Sequence, residues 1–424
     1  MTTAVVKATE TLFGQIVAPP SKSYTHRAII AASLAEGLSH IILPLYANDI
    51  LETINACASF GVSIEKGKTE FRIIGTSILK SPSSDVNCGD SASTIRFLTP
   101  IAALVKGKTV LDGSIGLRRR PIGPLVEALR KLGVQCSSDK GFPPVSIVGR
   151  TLTGGRTSLV GNISSQFVTG LLLACPLAEE DSEIALTTPL ESKPYVKLTL
   201  NILSKHGVEV DVSRSFRKFN IRSKQVYAPK DHFVPGDFSS AAFLLAAAAM
   251  TNSDVTVKNL HLNHPDSEIV KILDKMGAST KVKHGSVSIR GNGLKGIFID
   301  AKDIPDLVPV CAAVACVAHG TTHILGAKRL RIKESDRLDA LSSELRRMGA
   351  DISETDDGLT INGPCSLHGV IIEPHNDHRI AMACTIAGLK AKGKTEILKA
   401  ECVDKSYPNF YRDLKVLGAK INVM

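Results

Sequence analysis

Several short polar segments place cations beside hydroxyl or carboxylate side chains, a combination suited to binding phosphates and moving protons. The first is Ser21–Arg27, in which Lys22 and Arg27 accompany serines that can cap a helix. Free N–H groups at a helix start, together with the helix dipole, favour an anion. The segment therefore predicts an anion site, and a capped helix with two surface cations is the alternative interpretation.

Comparable segments recur along the chain: Asp90–Arg96, Arg118–Gly123, Asn162–Phe167, Ser192–Tyr195, Arg331–Arg337, Asn376–Met382 and Asp404–Pro408. Each also has an ordinary explanation. Consecutive arginines suit a solvated patch, and paired serines suit helix caps. Glu334 and Arg337 suit an exposed ion pair at i and i+3, and His378 suits a hydrogen-bonding role at a helix start. Their recurrence, with Asp306 and Glu334 among the cations, predicts a dry cleft that binds two polyanions and moves protons.

The elements that position these residues form a repeat. Six polar residues at nearly even intervals each lead into an alanine-rich apolar helix: Ser21, Asp90, Ser164, Asp237, Asp306 and Asn376. Between them, amphipathic helices run into glycines that suit a left-handed helix end, namely Gly61, Gly133, Gly207, Gly277, Gly349 and Gly418. Strand-like alternation follows these glycines. Each repeat is therefore predicted as strand, helix, strand, helix, strand.

The 424-residue chain is too long for one ordinary domain. Proline-rich segments at 18–20 and 227–236 predict two crossings between domains. The predicted first domain comprises residues 1–15 and 230–424, with the N-terminal strand folded back, and the second comprises 16–229; each contains three repeats. Two crossings suit a hinge, and a cleft between domains is a favoured ligand site.

Composition narrows the class of partner. Lysine plus arginine number 51 against 41 aspartate plus glutamate, a net charge of +10 that favours an anionic partner. Aromatic residues at 4% without tryptophan argue against single-stranded nucleic acid, which binds to stacking platforms. Nine scattered cysteines without a Cys-x-x-Cys pair predict reduced cytosolic thiols rather than disulfides or zinc ligands. We expect no signal peptide and no membrane-spanning segment.

In their order, the motifs resemble those of one family, the 5-enolpyruvylshikimate-3-phosphate synthases, over essentially the whole chain. The matching segments are Pro20–Ser23 with Arg27, Arg120–Gly123, Ser164–Phe167, Ser192–Tyr195, Pro305–Asp306, Lys333–Arg337, Asn376–Arg379 and Lys405. The resemblance implies a two-domain inside-out α/β barrel of six strand–helix repeats, three per domain, with helix N-termini facing an interdomain cleft. It also implies transfer of the enolpyruvyl group of phosphoenolpyruvate to the 5-hydroxyl of shikimate 3-phosphate. Phosphate is released without metal or other cofactor.

The resemblance also implies site residues. Those for shikimate 3-phosphate are Lys22, Ser23, Arg27, Ser164, Ser165, Gln166, Ser192, Asp306 and Lys333. Those for phosphoenolpyruvate are Lys22, Ala92, Arg120, Gln166, Arg337, Arg379 and Lys405, of which Arg337 and Arg379 grip the carboxylate. The proton demands of addition and elimination place Asp306 at the 5-hydroxyl and Glu334 at the methylene carbon. Lys22 stabilises charge at the reacting centre, and His378 is a further candidate for proton transfer.

Two positions depart from the family pattern. Ala92 replaces a common glycine and places a methyl group near the phosphoenolpyruvate site. We predict weaker inhibition by glyphosate, which is longer than phosphoenolpyruvate, than in an Ala92→Gly variant; equal inhibition constants would contradict this. Arg329 stands where some members have an asparagine that touches the shikimate.

Two alternatives remain open at this point. UDP-N-acetylglucosamine enolpyruvyl transferase shares the fold and the donor, but its Lys-Asn pair and loop cysteine are not matched by Lys22–Ser23 and Arg118–Arg120. A basic nucleic-acid-binding scaffold would explain the charge but not Asp306, and its binding would fall steeply with salt. We expect a cytoplasmic monomer whose partners are the two anionic metabolites, without nucleic acid or membrane.

Overall fold

The computed structural model describes residues 2–149, 152–251 and 253–424. The chain divides into two compact units: the first unit is Met1–Ser21 with Pro235–Met424, and the second unit is Lys22–Val234. The two changes of unit lie a few residues after the predicted domain boundaries.

The strands of the described residues are β1 (Ala4–Lys7), β2 (Phe13–Val17), β3 (Gly37–Ile42), β4 (Ser63–Lys66), β5 (Glu70–Gly75), β6 (Val86–Asn87), β7 (Lys108–Asp112), β8 (Gln135–Asp139), β9 (Phe142–Val148), β10 (Gly155–Leu159), β11 (Ser182–Leu186), β12 (Asp211–Val212), β13 (Lys218–Ile221), β14 (His232–Phe233), β15 (Asp254–Lys258), β16 (Ser279–Lys283), β17 (Ser286–Arg290), β18 (Phe298–Asp300), β19 (Gly320–Leu325), β20 (Asp351–Thr355), β21 (Gly358–Gly363), β22 (Ile371–Ile372), β23 (Lys394–Ile397) and β24 (Ile421–Val423).

The α-helices are α1 (Lys22–Ser33), α2 (Asn48–Ser59), α3 (Ala92–Ala102), α4 (Gly123–Lys131), α5 (Ser165–Ala174), α6 (Lys193–Lys205), α7 (Phe238–Met250), α8 (Glu268–Lys275), α9 (Val308–Ala315), α10 (Arg337–Arg347), α11 (His378–Gly388) and α12 (Phe410–Val416). Short 3-10 helices span Leu117–Arg119, Cys175–Leu177, Pro305–Leu307, Lys328–Ile332 and Ala400–Lys405. Within the described ranges, no helix is long and apolar enough to cross a membrane.

The strands pair into four-stranded sheets that share one topology. The second unit contains the orders β14-β3-β5-β4, β6-β7-β9-β8 and β10-β11-β13-β12. The first unit contains β2-β15-β17-β16, β18-β19-β21-β20 and β22-β23-β1-β24. In each order the first two strands are parallel and the other pairs are antiparallel. The predicted repeat therefore lacked one strand, because the second amphipathic helix leads into a hairpin rather than a single strand.

The strands next to the crossings are exchanged between repeats. β2 leads into α1 but pairs with β15, whereas β14 leads into α7 but pairs with β3. β1 lies between β23 and β24, so the N-terminal strands complete sheets built by the second half of the chain. At the crossing itself, Ser21 N donates to Pro235 O at 2.7 Å, and Asp237 N donates to Pro19 O at 2.7 Å.

The first helices of the repeats are mostly buried and begin at polar caps. All 13 residues of α7 are buried. Asp237 caps this helix by accepting Ser240 N at 3.1 Å, and Ser164 caps α5 by accepting Gln166 N at 3.3 Å. These two predicted helix starts are confirmed. Each cap satisfies an N–H group that the helix itself leaves unpaired.

Two other predicted starts are wrong by one residue. The cap of α3 is Ser91 rather than Asp90, and the cap of α11 is Asp377 rather than Asn376. Both true caps have extended backbone, as a capping residue requires. Asn376 instead has a φ of 55°, so its backbone is left-handed and it lies outside the helix. Where two polar residues adjoin, the backbone decides which of them caps.

The six predicted helix-end glycines all adopt the left-handed backbone. Their φ values run from 77° at Gly207 to 108° at Gly277, and a strand follows each of them. An L side chain rarely adopts this conformation, which explains the recurrence of glycine. The helix-to-strand turn predicted for every repeat is confirmed.

Candidate active site

A buried arginine at the start of α10 organises the polar residues of the first unit. Arg337 donates from Nε to Asp377 Oδ2 at 2.8 Å, from Nη1 to Asp306 Oδ1 at 3.0 Å, and from Nη2 to Glu334 Oε2 at 2.9 Å. Only 2% of its side chain is exposed, so the bond with Glu334 is a buried ion pair rather than the exposed pair of the ordinary interpretation. We call the following residues the first-unit cluster: Asp306, Lys333, Glu334, Arg337, Asp377, Arg379 and Lys405.

Three helix starts bring these side chains together. Asp306 lies in the 3-10 helix Pro305–Leu307, directly ahead of α9. Arg337 is the first residue of α10, which Asp336 caps, and Asp377 caps α11. Because polar residues are favoured at helix starts, adjacent starts in a folded unit gather charged side chains at one place.

The two oxygens of the Asp306 carboxylate contact different arginines. Oδ1 accepts from Arg337, and Oδ2 accepts from Arg379 Nη2 at 3.1 Å. Burial by itself would raise the pKa of Asp306, but the positive charges of Arg379, Lys333 and Arg337 outweigh burial and lower it well below its ordinary value. Asp306 is therefore ionised across the ordinary pH range and is held as an acceptor.

Two lysines lie beside these carboxylates. Lys333 Nζ is 3.9 Å from Asp306 Oδ1, and Lys405 Nζ is 3.6 Å from Glu334 Oε1. Burial lowers the pKa of Lys333 to about 7, although the neighbouring charge of Asp306 opposes that shift. The charge of Lys333 therefore changes near neutral pH, where a bound anion would favour the protonated form.

In the second unit, Arg27 lies among neutral oxygens. It donates to Thr199 Oγ1 at 2.8 Å, to Ser23 O at 2.8 Å and to Thr169 Oγ1 at 3.4 Å. Its guanidinium carbon is 5.0 Å from the centre of the Phe97 ring, within cation–π range. Burial lowers the pKa of Arg27 to about 10, so the side chain keeps its charge at neutral pH.

A second arginine, Arg96, joins two predicted site residues. Its Nη1 donates to Gln166 Oε1 at 2.9 Å and to Ser164 Oγ at 3.4 Å. Gln166 Nε2 in turn donates to Ser93 Oγ at 2.8 Å. The starts of α3 and α5 are thus tied together by side chains, and the amide of Gln166 has a fixed orientation.

The remaining predicted residues of the second unit also lie at helix ends. Lys22 is the first residue of α1, and its Nζ is 3.0 Å from Asp49 Oδ2. The others are Ala92 and Ser165, the first residues of α3 and α5; Arg120, which follows the 3-10 helix Leu117–Arg119; and Ser192, which precedes α6. These four are buried, and Ser192 has a left-handed backbone with φ of 55°. We call the following residues the second-unit cluster: Lys22, Ser23, Arg27, Ala92, Arg96, Arg120, Ser164, Ser165, Gln166 and Ser192.

Two predicted positions have other surroundings. His378 is only 1% exposed, and its Nδ1 lies 3.7 Å from Asp377 Oδ1. This burial weakens its candidacy for proton transfer to a substrate. Arg329 is buried and donates from Nη2 to the main-chain oxygen of Lys302.

Sequence reasoning missed several partners of the site residues. Asp377 was quoted only as part of a motif, although it binds Arg337 and caps α11. Arg96 and Asp49 were not assigned a role either. An arginine inside the apolar stretch Ile95–Leu98 is the signal that could have identified Arg96, because a buried charge needs polar partners. In the parts of the chain that are described, no group of three or more His, Cys, Asp or Glu side chains could hold a metal ion.

Known proteins share both this fold and the sequence. The family model for EPSP synthase (3-phosphoshikimate 1-carboxyvinyltransferase) matches residues 6–414. The 3-phosphoshikimate 1-carboxyvinyltransferase of Methanocaldococcus jannaschii is 45% identical over 427 residues, covering 99% of each chain. That of Methanocella arvoryzae is 45% identical over 418 residues, covering 97% of this chain and 98% of the relative. A solved EPSP synthase of Acinetobacter baumannii superposes with a TM-score of 0.84 at 31% identity, covering 100% of both chains.

The α/β arrangement of repeated strand–helix segments is thus that of solved EPSP synthases. The chain belongs to the EPSP synthase family, a conclusion supported by the family model and by relatives that match along their whole length.

Proposed function

We propose that the two clusters carry out the reaction of this family on one pair of substrates. The enzyme transfers the enolpyruvyl group of phosphoenolpyruvate to the 5-hydroxyl of shikimate 3-phosphate and releases phosphate, a step of the shikimate pathway. The observation that carries the assignment of roles is the first-unit cluster, in which carboxylates suited to proton transfer lie among cations suited to anion binding. The residue roles below rest on this geometry and on the family resemblance.

The second-unit cluster suits the phosphate of shikimate 3-phosphate. Ser164, Ser165 and Ser192 supply hydroxyls and N–H groups at the starts of α5 and α6. Arg27 remains cationic and is held by Ser23 O and two threonine hydroxyls. Lys333 of the first unit completes this set, and Arg120, Gln166 and Lys405 take the phosphate of phosphoenolpyruvate.

The carboxylate of phosphoenolpyruvate is assigned to Arg337 and Arg379. In the ligand-free structure both arginines already contact Asp306. A substrate carboxylate must therefore share or replace that contact. As the arginines turn to the substrate, the pKa of Asp306 rises toward its ordinary value, because the charges that lower it have moved to another anion. Donor binding thereby converts Asp306 from an ion-pair partner into a better proton acceptor.

The chemical steps use the two carboxylates in turn. Asp306 accepts the proton of the 5-hydroxyl as its oxygen bonds to carbon 2 of phosphoenolpyruvate, and Glu334 delivers a proton to the methylene carbon. In the elimination, a proton leaves the new methyl group and the carbon–phosphate oxygen bond breaks, which restores the double bond and releases phosphate. Lys22 stabilises the negative charge at the reacting centre. The net reaction needs no electron transfer.

We extend the proposal to architecture and state. The three like sheets in each unit support an inside-out α/β barrel of three repeats per domain. The division of substrate contacts between the clusters supports a shared active site. The nine free cysteines support a reducing, cytoplasmic compartment. Size-exclusion chromatography with light scattering tests the expected monomer.

Phosphate release by the purified protein tests the function. The assay supplies phosphoenolpyruvate with either shikimate 3-phosphate or UDP-N-acetylglucosamine, and compares the wild type with Asp306→Ala. We expect release only with shikimate 3-phosphate and its loss in the variant. Release with the nucleotide sugar alone would overturn the acceptor. Release with neither acceptor would overturn the proposed reaction, and an unchanged rate in Asp306→Ala would overturn the proposed role of this residue.

A further inference from the structure

Two cysteines of the first unit meet at the far end of the helix that follows Asp306. Cys316 directly follows α9, and Cys365 lies two residues after β21. Cys365 N donates to Cys316 O at 2.7 Å. A Cβ added to Gly363 would lie 2.3 Å from Ala318 O and 2.6 Å from the main-chain oxygen of Ala315. Only glycine allows this close approach, so the chain around Cys365 packs directly on the end of α9.

The geometry suits a covalent link. Residues joined by backbone hydrogen bonds have α-carbons roughly 5.5 Å apart in a sheet, which is within the range of disulfides. The two thiols also hydrogen-bond each other, so their side chains point together. We propose that Cys316 and Cys365 are a reversible redox site, which forms a disulfide by exchange with a small-molecule or protein disulfide.

The surroundings assign different roles to the two sulfurs. Cys365 is partly exposed, and its Sγ accepts Asp351 N at 3.4 Å. As a thiol it donates to Asn362 O at 3.2 Å. The hydrogen bond from Cys316 lowers the pKa of Cys365 to about 6, so the thiolate is present at neutral pH. Cys316 is fully buried, and the same hydrogen bond together with burial raises its pKa. Cys365 is therefore the attacking sulfur, and Cys316 is the resolving one.

The exchange balances in two steps. The Cys365 thiolate attacks one sulfur of the external disulfide, forms a mixed disulfide and releases one thiolate. Cys316 then loses its proton to solvent and attacks Cys365 Sγ, which forms the internal disulfide and releases the second thiolate. The protein loses two hydrogens and is oxidised, and the external disulfide is reduced to two thiols. An excess of thiol reverses both steps.

A third thiol provides the matched control. Cys384, in α11, is fully buried and close enough to Cys316 to influence its pKa. Burial raises the pKa of Cys384, which suppresses its thiolate. If proximity and burial alone governed oxidation, Cys384 would compete with Cys365 for Cys316. The proposal excludes that pairing, because Cys384 lacks both exposure and a stabilised thiolate.

The test is oxidation of the folded full-length protein with glutathione disulfide at pH 7.5. Remaining thiols are then alkylated and peptides are mapped by mass spectrometry. We expect a peptide that links Cys316 to Cys365, its disappearance after dithiothreitol, and a rise of roughly 5 °C in the unfolding midpoint. Cys384→Ser should form the same link. Cys316→Ser should stop at a mixed disulfide with glutathione on Cys365, and Cys365→Ser should form neither product.

Three results would overturn the proposal. The first is persistent glutathione on Cys365 of the wild type without the internal link. The second is a link from Cys316 to Cys384, and the third is absence of any reaction while the protein remains folded by circular dichroism. None of these results depends on enolpyruvyl transfer, so they leave the proposed function untouched.

Discussion

In the first unit Arg337 contacts three carboxylates within 3.0 Å, whereas in the second unit Arg27 contacts two threonine hydroxyls and one main-chain oxygen. Both guanidinium groups are buried. Hydroxyl and carbonyl dipoles stabilise a cation without cancelling its charge, but carboxylates neutralise it. The second-unit cluster therefore retains positive charge for a ligand phosphate, and the first-unit cluster holds proton acceptors beside its cations. The comparison separates anion binding from proton transfer.

The strongest test of this comparison concerns proton transfer. Asp306→Asn keeps the shape of the side chain but removes the acceptor, and we expect kcat to fall by roughly 10²- to 10⁴-fold. Asp413→Asn is the matched control, because Asp413 is a buried carboxylate of the same unit that accepts Tyr407 Oη at 2.9 Å. Steady-state kinetics should show near wild-type kcat for this control. Equal losses in both variants would attribute the effect to folding rather than to chemistry.

The two arginines should differ in what their loss costs. Arg337→Met leaves carboxylates buried without their counter-charge, and we expect the free energy of unfolding to fall by about 3–5 kcal/mol. Arg27→Met leaves the hydroxyls of Thr169 and Thr199, which are 2.9 Å apart, and we expect a fall of only about 1–2 kcal/mol. Urea denaturation measures both. A larger loss for Arg27→Met would contradict the comparison.

Lys333 allows the comparison to be sharpened with pH. Its pKa of about 7 in the free protein means that phosphate binding must supply a proton above that pH. We expect the affinity for shikimate 3-phosphate to fall by up to tenfold per pH unit from pH 7 to 9, with proton uptake in calorimetry. Lys333→Arg stays charged and should bind with a flatter profile. Equal profiles for wild type and variant would exclude Lys333 as the titrating group.

The smallest effect concerns the left-handed backbone of Ser192. Ser192→Ala and Ser192→Gly both remove the hydroxyl, but only alanine pays the conformational cost of φ at 55°. We expect Ser192→Gly to be the more stable by about 1 kcal/mol, measured by thermal unfolding. Both should bind shikimate 3-phosphate equally weakly. Weaker binding by alanine alone would indicate that backbone shape, rather than the hydroxyl, positions the ligand.

Much of this arrangement could be predicted from local sequence, and the remainder depends on packing. The left-handed glycines and the caps Ser164 and Asp237 follow from backbone chemistry that acts within a few residues. The spacing of Glu334 and Arg337 predicted their ion pair but not its burial, because burial depends on distant helices. The contact between Arg337 and Asp377 likewise joins two helix starts far apart in sequence. No local pattern specifies that partner.

The position of β1 and β2 bears on how the protein is made. These strands are synthesised first, but the partner of β2 is β15, and those of β1 are β23 and β24. The second unit, Lys22–Val234, is complete before any of those partners emerges from the ribosome. Because domains generally fold as units during synthesis, the N-terminal strands must wait, unpaired, beside an already folded neighbour. Translation therefore delivers the phosphate-binding cluster first and the proton-transfer cluster last.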